Sequence, residues 1–82
     1  MKAEVILSNL TRGMFAAEMD NGEYVIFELL DNNVPELGDL ISHTDFYNMG
    51  GETFKNITQN NLVGVYVQNI CGARQVRQLC ML

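Results

Sequence analysis

The chain has 82 residues and a mass of 9.2 kDa, enough for one domain and too little for two. Hydrophobic residues make up 48% and charged residues 18%, a globular rather than a disordered composition. Ten acids against five bases give a net charge of −5, which argues against sequence-independent coating of DNA, a task for clustered Lys and Arg.

Ala3 to Ser8 is an apolar, partly β-branched run that predicts a first strand, ended by the polar stretch Asn9 to Gly13. Met14 to Met19 and Tyr24 to Leu30 flank Asp20-Asn21-Gly22-Glu23. Asn-Gly between two apolar runs is a strong hairpin signal, because a two-residue type I′ turn needs positive φ at both central positions. Such a turn sets Met19 opposite Tyr24, Ala17 opposite Ile26 and Phe15 opposite Glu28 on one face. On the other face it sets Glu18 opposite Val25, Ala16 opposite Phe27 and Met14 opposite Leu29. Both faces are then largely apolar, so something is expected to cover the second one.

Asp31 to Pro35 reads as a loop, and Leu40 to Phe46 as a fourth strand broken by Asn48-Met49-Gly50-Gly51. Residues 52–61 fit a short strand or a helical turn. Leu62 to Ile70 alternates again, with Val63, Val65 and Val67 on one side, and Gly72 stops it. From Ala73 to Cys80 the spacing becomes helical: Ala73, Val76, Leu79 and Cys80 share one face, while Arg74, Arg77 and Gln78 share the other. A helix this short needs its apolar stripe docked. The expected place is the strip Met14, Ala16, Val25, Phe27 and Leu29 of its own barrel or of a second copy, with Arg74 and Arg77 bridging to acids at the rim. Five strands with glycine punctuation and a terminal helix predict an all-β, closed or nearly closed small barrel over residues 1–70 with a helical tail over 71–82.

The charge is uneven. All ten acids lie in residues 1–52, against Lys2 and Arg12 alone, while residues 53–82 carry Lys55, Arg74 and Arg77 and no acid. No stretch reaches the roughly 18 apolar residues of a membrane span, and residues 1–10 lack the apolar centre of a signal peptide. Two cysteines do not make a disulfide framework, so Cys71 and Cys80 read as small buried hydrophobes in a reducing, cytoplasmic setting.

The run Arg12-Gly13-Met14-Phe15-Ala16-Ala17-Glu18-Met19-Asp20-Asn21-Gly22-Glu23, an apolar strand after it, and Leu37-Gly38-Asp39-Leu40-Ile41 resemble the S1-like oligonucleotide-binding fold. The closest pattern is that of the bacterial translation initiation factor one family, matched over about residues 3–42. The resemblance implies an all-β, five-stranded oligonucleotide-binding-type barrel that binds RNA across its second and third strands, with an SH3-like small barrel as the alternative fold.

Catalysis and metal binding find little support. His43 has Asp45 two positions on, but nothing in the sequence ties a nucleophile to it. Cys71 and Cys80 do not have a zinc spacing, and neither an EF-hand nor a phosphate-cradling glycine motif occurs. No cofactor is expected. Among the aromatics, Phe15 and one of Phe46 or Tyr47 belong to the core. Phe27 is the best stacking candidate, with Tyr66 next, and Arg12 is placed to meet a phosphate. The reading is a non-enzymatic binding module for single-stranded nucleic acid through Arg12, Met14, Phe27, Leu29 and Tyr66. The alternative partner is a protein, including a second copy of the chain in a homodimer, docked on the Met14, Phe27 and Leu29 face.

Overall fold

The period-two alternation becomes strands in the computed structural model, which describes residues 1–81: β1 (Lys2–Asn9), β2 (Met14–Met19), β3 (Tyr24–Leu29), β4 (Leu40–Ser42), β5 (Gly50–Asn56) and β6 (Asn61–Cys71), followed by the helix α1 (Val76–Met81). The strands close into a barrel in the order β1-β2-β3-β6-β5-β4, with β4 pairing back to β1 and every pair antiparallel. The run β4-β1-β2-β3 is a Greek key, and the β5–β6 hairpin fills the remaining gap. Closure gives every strand a partner on both sides over at least part of its length.

The expected all-β small barrel with a terminal helix is therefore present, with six strands rather than five. The added strand is β5, where Phe54 and Asn56 point inward while Thr53 and Lys55 point out. Its glycine start and its inward asparagine hide the alternation. The fourth strand is shorter than expected, stopping at Ser42, because Asp45 bends the chain: its carboxylate accepts from Tyr47 N at 2.9 Å and its carbonyl from Asn48 N at 3.2 Å. Phe46 enters the core from that turn, while Tyr47 stays 42% exposed.

The β2–β3 hairpin forms, but one residue out of the expected register. Met19 bonds both ways around Asp20-Asn21-Gly22: its carbonyl accepts from Gly22 N at 3.0 Å and its N–H donates to Glu23 O at 2.8 Å. Only Gly22 has positive φ, at 84°. This is a three-residue connection, a type I turn ending in a left-handed glycine, not a two-residue type I′ turn. Phe15 consequently faces Phe27, Ala16 faces Ile26, and Ala17 faces Val25. A one-residue slip turns every side chain of β3 over. Phe27, Val25 and Leu29 point into the barrel, and Ile26, Tyr24 and Glu28 point out.

Inside, the rings of Phe15 and Phe27 stack with centroids 5.6 Å apart, and Phe54 meets both Phe27 and Phe46 edge-on at 5.1 Å. Val5, Ile41, Val63, Val65 and Val67 complete this core.

Two strands carry a bulge, and each reverses the side-chain parity beyond it. In β1 the register shifts between Val5 and Leu7, so Ile6 and Leu7 both face outward. In β6, Ile26 pairs with Asn69 but Phe27 pairs with Val67, so Gln68 is the extra residue and Cys71 reaches the outer face. Ile6, Leu7, Met14, Ala16, Ile26 and Cys71 thus make a second apolar cluster outside the barrel. There α1 docks through Val76, Leu79 and Cys80. Asn9 Nδ2 donates to Cys80 O at 3.1 Å and ties the end of the helix to β1. The tail lies on its own barrel, as its apolar stripe requires. The strip beneath it holds Met14 and Ala16 as expected, but Ile26 in place of Val25, Phe27 and Leu29, because of the register of β3. Arg74 and Arg77 are exposed, and among the described residues neither forms the expected bridge to an acid.

Candidate functional site

The outer face of β2, β3 and β6 is only partly roofed by α1. Beside the helix a groove of about 260 Å³ remains, lined by Arg12, Met14, Ile26, Glu28, Gln68, Asn69 and Leu79. Its floor is apolar, formed by the nearly buried Met14 and Ile26 with Leu79 of the helix at one side. Its walls are polar, and the β6 bulge makes one of them: regular alternation would turn either Gln68 or Asn69 inward, whereas both are exposed.

Arg12 sits on the β1–β2 loop, whose end is pinned by Leu29 N donating to Gly13 O at 2.8 Å. Gly13 has φ of 67°, a left-handed conformation that lets the loop turn straight into β2. The Arg12 guanidinium is near enough to the Cys80 thiol to act on it: burial pushes that thiol up, and the arginine charge works against the rise. No hydrogen bond or ion pair involves the guanidinium among the described residues. Glu28, opposite Met14 in the β2–β3 ladder, accepts at Oε1 from Gln68 Nε2 at 3.2 Å. Tyr66 lies next to this pair, opposite Glu28 in the β3–β6 ladder, with its side chain outward and 47% exposed. Its ladder neighbour on the other side is Gly51, which adds no side chain beside the ring.

Of the residues expected to carry binding, Arg12 and Met14 line the groove and Tyr66 flanks it. Phe27 does not belong to it. It is fully buried among Phe15 and Phe54, so it cannot serve as an exposed stacking platform. Leu29 is half-buried and packs against the inner core. The Met14, Phe27 and Leu29 face proposed for a protein partner is not one face: Met14 points out of the barrel and the other two point in. Sequence reasoning missed Glu28, Gln68 and Asn69. The detectable signal is the pair Gln68-Asn69, two polar residues where Val63, Val65 and Val67 set a strict alternation.

Two other polar constellations are structural. Asp39, 4% exposed, accepts from Asn56 Nδ2 at 2.8 Å, from Gln59 Nε2 at 2.7 Å and from Glu36 N at 2.9 Å. It joins the loop before β4 to the β5–β6 turn. His43 Nε2 lies 2.7 Å from Glu52 Oε1, with its ring centroid 5.2 Å from that of Phe54. Asp45, two residues on, is engaged in its own turn rather than with His43. The two cysteines are buried and unbonded, and burial pushes both thiols up, away from nucleophilic reactivity. Among the described residues no group of three or more His, Cys, Asp or Glu is placed to hold a metal ion, and no helix is long and apolar enough to cross a membrane.

Compared with protein-family models, curated proteins and solved structures, the chain matches none of them.

Proposed function

We propose that this protein is a non-enzymatic binding module that holds a short stretch of single-stranded nucleic acid, RNA first, across the outer face of β2, β3 and β6. The observation that carries this reading is a groove lined by base-sized polar groups and a guanidinium unpaired among the described residues, with an exposed aromatic beside it. Tyr66 offers a ring face for a base, Arg12 a cation for a phosphate, and Glu28, Gln68 and Asn69 hydrogen-bonding groups for a base edge. The S1-like, oligonucleotide-binding character of the barrel is part of this proposal. So is a cytoplasmic setting, which suits two free, buried thiols.

A net charge of −5 limits the strength of such binding. Fluorescence anisotropy with a labelled single-stranded RNA at near-physiological salt should give a dissociation constant of roughly micromolar or weaker. Tyr66→Ala should weaken it at least about fivefold, the usual cost of losing one base-stacking ring. Binding that is unaffected by both Tyr66→Ala and Arg12→Ala would place the ligand elsewhere.

A second reading has its own observation. Leu10, Leu30, Val34, Leu37 and Ile57 are all exposed on the loops at one end of the barrel. Isolated exposed hydrophobes are ordinary, but several around one rim suit a protein partner or a second copy. Sedimentation that depends on concentration, and that is abolished by Leu30→Lys with Leu37→Lys, would favour this reading.

A further inference from the structure

The groove is selective in its chemistry as well as in its size. At about 260 Å³ it falls below the roughly 300–1,000 Å³ of sites for drug-sized ligands, so it suits one flat ring system rather than a long segment. Met14, Ile26 and Leu79 give that ring an apolar bed, and a thioether packs well against a π-system. Glu28 is the only anionic group lining it among the described residues. Its carboxylate is acceptor-only, and the single bond from Gln68 leaves further lone pairs for a ligand.

An acceptor-only group on an apolar bed sorts bases by their donors. Guanine presents two neighbouring donors, N1–H and N2–H₂, on its Watson–Crick edge. Adenine and cytosine each present one amino group beside a ring nitrogen acceptor, and uracil presents one N–H between two carbonyls. In those three bases an acceptor atom is set against the carboxylate, which costs binding. Guanine also carries O6 and N7 acceptors, which suit the Arg12 guanidinium of the same lining. From this we infer that the groove selects guanine, with Glu28 reading the Watson–Crick edge and Arg12 the O6/N7 side. The inference rests on the nucleic-acid reading above and narrows it to one base.

The test is isothermal titration of the full chain with the trinucleotides UGU, UAU, UCU and UUU. UGU should bind about tenfold tighter than the other three, as expected for one bidentate contact. Glu28→Gln, which replaces one acceptor oxygen by a donor, should bring all four within about twofold of one another. GMP against AMP, each titrated into the unsubstituted protein, gives the same preference without any substitution. Equal binding of the four trinucleotides and of the two mononucleotides overturns the guanine inference and leaves strand binding intact. Binding of none of them up to millimolar concentration overturns both.

Discussion

Asp39 is a carboxylate sealed from water and surrounded by donors, two of them amide side chains and one a backbone N–H. Burial alone would raise its pKa, but these three hydrogen bonds favour the anion and hold it below the ordinary carboxylate range. An acid depressed in the folded state contributes stability that is present above its unfolded pKa near 4 and is lost as pH falls through the folded value. Asp39→Asn, which sets an NH₂ among donors, should cost about 2 kcal/mol at neutral pH. It should also flatten the loss of stability below about pH 4, as read by urea unfolding across pH. Gly22 is the other decisive single residue. With φ of 84° it holds the turn that gives β3 its register, so Gly22→Val should cost at least about 1 kcal/mol in thermal unfolding.

At the scale of elements, β2 is legible to the residue, and so are the inward Phe15 and Ala17 and the outward Met14 and Ala16. The orientation of β3 is not, because Asn-Gly suits turns of two and of three residues alike. What accompanies the longer turn is distant. Asn21 Nδ2 donates to Tyr47 Oη at 2.9 Å, and the Tyr47 hydroxyl reaches Glu23, a contact between segments 24 residues apart. The bulges are equally hidden, although the outward pair Gln68-Asn69 marks one of them. The C-terminal helix is legible as an amphipathic stripe, and its docking follows from an apolar outer face, even though three of the five residues expected on that face, Val25, Phe27 and Leu29, lie inside. Deleting residues 73–82 should uncover Met14, Ala16 and Ile26, with a loss of about 2 kcal/mol and a melting temperature lower by roughly 8–16 °C. The truncated chain should also self-associate in sedimentation. Unchanged stability and a monomeric state would contradict the docking.

For the molecule as a whole, charge and topology set the limits of function. The acids of β1 and β2 include Glu4 directly opposite Glu18, a like-charge pair on the outer face that repels a phosphate backbone there. On the nucleic-acid reading proposed above, the ligand belongs in the groove beside α1 and leans on base contacts more than on phosphates. Each phosphate neutralised on a single strand contributes a salt slope of about −0.7, so a module with Arg12 as its main cation should show a log Kd against log salt slope of magnitude near one. A slope several times steeper would mean that Lys55, Arg74 or Arg77 share the strand. In the proposed function the ligand occupies the groove between α1 and the β6 bulge. Backbone and side-chain NMR shifts recorded while UGU is titrated into the full chain test it most directly. The largest changes should fall on Arg12, Glu28, Tyr66, Gln68 and Asn69, with the rim residues Leu30 and Leu37 unmoved. Changes confined to that rim, or to the Glu4 and Glu18 face, would contradict it.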